Sequence, residues 1–164
     1  MKTMKIIFAC MLLAMTTVAT TSCDDIKDEM RASWNTRHLL GTWVMTCQKF
    51  YYYVDGELSE VITHEYSKLA SKDDRQLRLE IDRESGDEFY FTSYHASRYQ
   101  WVFDSEYRVF LDGNRDMYRI NTSPTHITEE YIGHISELKA AHMEMYYEEP
   151  DYEVITIYEK VYDK

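Results

Sequence analysis

Apolar and polar side chains alternate residue by residue along much of the chain, the spacing of strands with one face buried. Leu77-Arg78-Leu79-Glu80-Ile81-Asp82 alternates without a fault. Phe89 with Phe91, Trp101 with Phe103, and Tyr107-Val109-Leu111 extend the pattern, as do Met143-Met145-Tyr147 and the run over 152–162. Tyr, Val, Ile, Thr and Phe crowd these segments, as suits a pleated surface. Asp55-Gly56, Ser85-Gly86 and Asp112-Gly113-Asn114 stand between the runs at hairpin spacing. Ser123-Pro124 and Glu149-Pro150-Asp151 mark two further breaks. The pattern predicts an all-β domain over 39–164: an antiparallel up-and-down meander of eight to ten strands, closed or nearly closed into a barrel.

Two segments depart from this alternation. In 24–38, Ile26, Met30 and Trp34 recur at spacings of four, with acidic residues at the leading end, where a helix dipole favours them. A short N-terminal helix or a partly ordered tether is expected there. Ahead of it, residues 6–15 are wholly apolar, Lys2 and Lys5 precede them, and mostly small residues lead to Ser22-Cys23. A positive start, an apolar stretch and a small-residue exit make a secretory signal. The stretch is well short of the roughly 20 apolar residues that span a bilayer. Cysteine at the exit adds the chemistry of lipoprotein processing, because a thiol can accept diacylglycerol, and Ser22 suits the position before it. Thr20, where Leu is usual, suits its position less well, and an ordinary secreted protein is the alternative. Residues 1–22 are thus expected to be removed, Cys23 to carry lipid, and 23–38 to form the tether. The cluster Asp24-Asp25-Ile26-Lys27-Asp28-Glu29 resembles the acidic tag that sends some lipoproteins to the outer face of the outer membrane. An envelope location, periplasmic or surface-exposed, follows as an expectation.

Charge narrows the partners. Loss of Lys2 and Lys5 leaves 16 of the 18 basic residues against 29 acidic ones, so the mature chain carries about −13. That balance excludes nucleic acid, whose affinity comes largely from Lys and Arg on phosphates. It also excludes a basic patch on anionic lipid, so attachment rests on acyl chains, two or more of which anchor durably. With Cys10 in the signal and Cys23 lipidated, Cys47 stands alone and no internal disulfide forms. Stability must come from packing, for which about 140 residues suffice. Arg78, Glu80, Asp82, Arg108, Arg119 and Glu144 alternate with large apolar residues. Facing lipid, each Arg near the midplane would cost about 2–4 kcal/mol, so a barrel in water is expected rather than one in a membrane.

At Leu39-Leu40-Gly41-Thr42-Trp43 a helical lead meets Gly-x-Trp at the start of the first strand. This resembles the lipocalins, and more closely the small lipocalin-like lipoproteins of Gram-negative bacteria. The segment from Ile135-Ser136-Glu137-Leu138 to Met143-Glu144-Met145 and the Tyr-rich last strand also look like the end of such a domain. The resemblance implies a barrel whose closed end is crossed by Trp43, with Gly41 permitting a tight approach.

Candidate sites follow from parity and composition. If Trp43 points inward, unbroken alternation sends Met45, Cys47, Tyr51 and Tyr53 inward as well. Phe89, Phe91, Trp101, Phe103, Met143, Met145 and Tyr147 are their expected companions. These residues form either a cup for a small hydrophobic or aromatic ligand or a filled core, since eight strands leave little more than room for side chains. The 15 tyrosines allow a second function: an acidic, Tyr-rich surface around Tyr51-Tyr52-Tyr53, Tyr146 and Tyr152 that binds glycan or protein partners of the envelope. His134 and His142, with Glu144, are the best candidates for a metal pair across a hairpin, short of the three ligands a site usually needs. No nucleophile elbow, zinc-protease motif, phosphate loop or cysteine pair is present, so a non-catalytic protein without cofactor is expected.

Overall fold

The computed structural model describes residues 37–162. The signal, Cys23 and all but the last two residues of the segment 24–38 lie outside these residues. Nine antiparallel strands follow in chain order: β1 (Gly41–Val54), β2 (Glu57–Glu65), β3 (Leu77–Ser85), β4 (Glu88–Ser97), β5 (Gln100–Leu111), β6 (Asp116–Thr122), β7 (Ile127–Leu138), β8 (His142–Glu149) and β9 (Tyr152–Val161). From β3 onward each strand pairs with the next, and β9 returns to β1. The result is the expected antiparallel up-and-down meander, closed into a barrel.

The ring itself has eight strands. β1 spends its first residues, 41–44, on β3 and its later ones, 47–54, on β2. β2 is therefore a flap hinged on β1, and it has no hydrogen-bonded register with β3. The expected turns join the strands. Asp55 and Gly56 both adopt positive φ, 53° and 79°, which a two-residue hairpin matched to strand twist requires. Asp112 Oδ1 caps its turn by accepting the amides of Asn114 and Asp116 at 2.8 and 2.9 Å.

One end of the ring is solid. Trp43, Met45, Leu79, Ile81, Phe89, Phe91, Val109, Leu111, Met117, Ile135, Leu138, Met143 and Tyr158 are all buried and form one cluster. A single helical turn at 37–39 closes this end. Trp43 Nε1 donates to the carbonyl of Leu39 at 2.7 Å, and Leu39 is itself fully buried. Lys160 covers the other side of the indole. Its Nζ lies 4.9 Å from the Trp43 ring centroid and donates to the carbonyl of His38 at 3.0 Å. Burial pushes this ammonium below the usual lysine range. At Gly41 (φ +118°) a Cβ would stand 2.8 Å from Lys160 Cε, so the glycine does permit the close approach expected of it.

Charges line the outside. Arg108 bridges Glu84 and Glu88 at 2.6 and 2.5 Å, and Arg78 pairs with Glu80. Such an exterior suits water and not acyl chains. No helix among the described residues is long and apolar enough to cross a membrane.

Candidate functional site

Bulges decide which side chains reach the interior. Between β1 and β9, Met45 is opposite Tyr158 but Cys47 is opposite Ile157, so Thr46 is an extra residue. A bulge of this kind inverts the parity of everything after it. Trp43 and Met45 point inward, and beyond Thr46 the inward residues become Gln48, Phe50 and Tyr52. They face Thr156, Val154 and Tyr152 of β9. Cys47, Tyr51 and Tyr53, expected inside, therefore belong to the outer face. Burial raises the Cys47 thiol above its ordinary value, which leaves it a poor nucleophile at neutral pH.

A second bulge corrects β5. Ser93 is opposite Ser105 while Tyr94 is opposite Phe103, leaving Asp104 unpaired. Its carboxylate accepts the hydroxyls of Ser93 and Ser105, each at 3.2 Å. Tyr107 and Val109 stay inside, but Phe103 joins Tyr94 on the outer face at a ring separation of 6.1 Å and is 58% exposed. Trp101 turns the same way, into a recess shared with Leu69, Ala70 and Tyr99. Neither Trp101 nor Phe103 belongs to the interior.

The remaining expected interior residues divide into two groups. Trp43, Met45, Phe89, Phe91 and Met143 are inside but serve the solid floor, with 0–1% exposure. Tyr147, with Met145, reaches open space. Above the floor, β1, β7, β8 and β9 border a half-open cavity of about 260 Å³, lined chiefly by Gln48, Phe50, Ile132, Met145, Tyr147 and Val154. Tyr152 and Thr156 complete its β9 wall. Gln48 Nε2 donates to Thr156 Oγ1 at 3.4 Å, which ties two polar liners together. The Phe50 and Tyr52 rings stack at 6.2 Å, and Tyr52 meets Tyr152 at 5.9 Å. Tyr147 donates to Glu149, and that bond with burial holds its phenol above the ordinary value. The cavity has hydroxyls, an amide and aromatic faces to offer, but no nucleophile with an adjacent base.

Alternation placed Tyr147 and Met145 on the inner face, and both line this cavity. It missed Phe50, Gln48, Val154, Thr156 and Ile132. The 154–158 alternation on β9 carries the only available signal, since Tyr158 and Val154 must share a face whereas Met45 and Phe50 differ in parity. Gln76 was also unforeseen. It is fully buried and donates to the carbonyls of Met45 and Ser67 at 3.3 and 2.7 Å. Its own Oε1 accepts the Ser71 amide at 2.9 Å. This side chain ties β1 to the connection between β2 and β3.

The tyrosine run splits across the wall for the same reason. Tyr52 and Tyr152 look inward, and Tyr51, Tyr53 and Tyr146 look outward, so the five do not form one surface. His134 and His142 do not meet either. His134 Nδ1 lies 2.9 Å from Asp116, and His142 Nε2 lies 3.2 Å from Glu137. Among the described residues no three His, Cys, Asp or Glu side chains are placed to hold a metal.

No family model matches the chain, and no curated protein matches it. A solved structure titled "The Siderocalin Ex-FABP functions through dual ligand specificities" is similar to it, with 8% identity over 77% of this chain and 76% of that one, at a TM-score of 0.42. The barrel described above rests on its own strand order and closure.

Proposed function

We propose that this chain is a non-catalytic binding protein of the bacterial envelope, anchored through lipid on Cys23. On this reading it holds a small aromatic or short apolar molecule in the chamber between β1, β8 and β9. The observation that carries the reading is the contrast within one barrel. The floor is packed solid, yet above it aromatic and aliphatic side chains surround unfilled space. At about 260 Å³ the cavity sits at the small end of ligand pockets, which suits one or two rings or a short chain. Gln48 and Thr156 supply the few polar contacts that orient a ligand.

Titration of the purified protein with N-phenyl-1-naphthylamine tests this directly. Saturable fluorescence enhancement is expected, weakened at least tenfold by Phe50→Ala and left unchanged by Tyr51→Ala. Equal loss from both substitutions, or no binding by a folded protein, would refute the assignment of the chamber. Native mass spectrometry of protein from its own host's envelope would then identify the cargo as a defined added mass.

A second reading has its own observation. On the outer face Phe110, Tyr118 and Tyr131 form a chain of rings separated by 6.4 and 5.8 Å, and Tyr131 is 44% exposed. Such a surface suits a glycan or protein partner of the envelope. Pull-down losses confined to Tyr118→Ser and Tyr131→Ser would favour it.

A further inference from the structure

The connection between β2 and β3 and the turn between β4 and β5 together build a second concavity, on the outer face of the wall. Trp101, half-buried and directly across the ladder from the fully buried Ala96, lines it with Tyr99, Leu69, Ala70, Ser67 and Ser71. The space is about 530 Å³ and half open to solvent, and it shares no lining residue with the chamber. Leu69 is 77% exposed and Tyr99 64%. Apolar side chains left together in water commonly mark a contact surface.

The recess is held in shape and, at one point, strained. Gln76 Oε1 accepts the Ser71 amide at 2.9 Å and its Nε2 donates to the Ser67 carbonyl at 2.7 Å. The Tyr99 amide donates to the Ser71 carbonyl at 3.0 Å, which joins the turn to the connection. Arg98 and Tyr99 both adopt positive φ, 50° and 66°, where a tight hairpin ordinarily has Asn and Gly. A bulky side chain there costs free energy, and such costs gather at binding sites. Here the cost puts an aromatic ring into the recess where glycine would leave none. Charge adds a direction. Lys72 Nζ stands 5.6 Å from the Tyr99 ring centroid, and among the described residues it holds no carboxylate. Its neighbours Lys68, Arg75 and Arg78 are paired with Glu159, Asp73 and Glu80. Asp74 lies within electrostatic reach of Arg75 and Tyr66, and neither Asp73 nor Asp74 lines the recess.

We infer that this recess binds a glycan containing an acidic sugar, with the C–H face of one pyranose ring on the Trp101 indole and its carboxylate beside Lys72. A half-open recess leaves much of any occupant wet, so a wholly apolar molecule gains little there. A pyranose suits it better. Its C–H face meets the negative face of an aromatic ring, while its hydroxyl rim stays in water. The lysine ammonium is a compact charge on a flexible stem, able to follow a carboxylate at the margin.

Affinity electrophoresis of the full chain through native gels carrying polygalacturonate, alginate, hyaluronate or neutral dextran tests the inference. Retardation is expected in at least one of the acidic polymers and not in dextran. A polyanion repels this acidic protein at long range, so retention reports contact. Trp101→Ala and Tyr99→Gly should each raise the apparent Kd by about tenfold or more. Lys72→Gln should raise it less, and Phe50→Ala, in the chamber, should leave it unchanged. Tyr99→Gly should also resist urea at least as well as the parent, because glycine accepts the positive φ, which keeps loss of binding apart from loss of fold. No retardation in any acidic gel, equal retardation in dextran, retention that survives Trp101→Ala and Tyr99→Gly, or marked destabilisation of Tyr99→Gly would overturn the inference. So would a mass that doubles with concentration in light scattering and reverts in Trp101→Ala, which would make the occupant a second copy of the chain.

Discussion

The floor of the barrel hangs on Trp43, and its replacement should be felt throughout the fold. The indole is fully buried. Truncating a buried Trp to Ala costs about 3–5 kcal/mol through lost transfer and the cavity left behind. Two further losses follow. The carbonyl of Leu39 loses its donor at 2.7 Å, which costs about 1 kcal/mol when the acceptor stays buried. Lys160, 4.9 Å from the ring centroid, loses an attraction of about 0.5–1 kcal/mol. The total rivals the whole stability of a typical domain, about 5–15 kcal/mol. Trp43→Ala is therefore expected to lose about 4–7 kcal/mol, a large share of the stability of the fold. Trp43→Phe keeps most of the bulk and the aromatic face but deletes the N–H, and should cost about 1–2 kcal/mol. Urea unfolding followed by far-ultraviolet circular dichroism measures both, with the slope against denaturant checked for constancy. Lys160→Met separates the ammonium from its packed stem and should cost less than Trp43→Phe. A Trp43→Ala protein within 1 kcal/mol of the parent would show that neither the helical turn at 37–39 nor the indole holds the floor.

Three other outcomes are expected. Gly133→Ala should destabilise by more than about 2 kcal/mol, because its φ is +135° and the new Cβ would stand 2.8 Å from the carbonyl oxygen of Tyr146; an unchanged urea midpoint would contradict this. Arg75 holds the Asp73 carboxyl down at about 2, below its ordinary 3.8. A depressed carboxyl stabilises the fold above its unfolded pKa and stops doing so as pH falls through the folded one. Asp73→Asn should therefore cost about 1 kcal/mol at pH 7, after allowance for the solvent around the pair. The difference should fade between about pH 4 and pH 2, and a deficit that persists at pH 2 would assign the effect to something other than charge. Finally, Cys47 should react with 5,5′-dithiobis(2-nitrobenzoate) more slowly than a free thiol at pH 7.5 and approach it in urea, since burial raises its pKa; reaction at the free rate would place it in open solvent.

Strand existence, strand order and the turns were legible in the chain because each depends on local chemistry. Alternation over six residues, a glycine at positive φ and an aspartate capping its own turn are settled within a few bonds. Gly41 and Trp43 came from the Gly-x-Trp resemblance and not from alternation, and the structure gives the physical reason: a short helical turn and one buried indole act within five residues of each other. The contents of the interior were not, and Thr46 and Asp104 show why. Neither residue type marks a bulge, and neither position carries the glycine that signals one. Each bulge exists because β1 must meet β9, and β5 must meet β4, in a register set by how an eight-stranded ring closes. One unpaired residue then exchanges Tyr51 for Phe50, and another sends Trp101 and Phe103 to the outer face. The same closure left β2 unpaired from β3, buried Gln76 in the gap, and set Arg119 over the ring of Tyr107. Alternation along a chain fixes which residues share a face, but only the closing of the sheet decides which face is the inside.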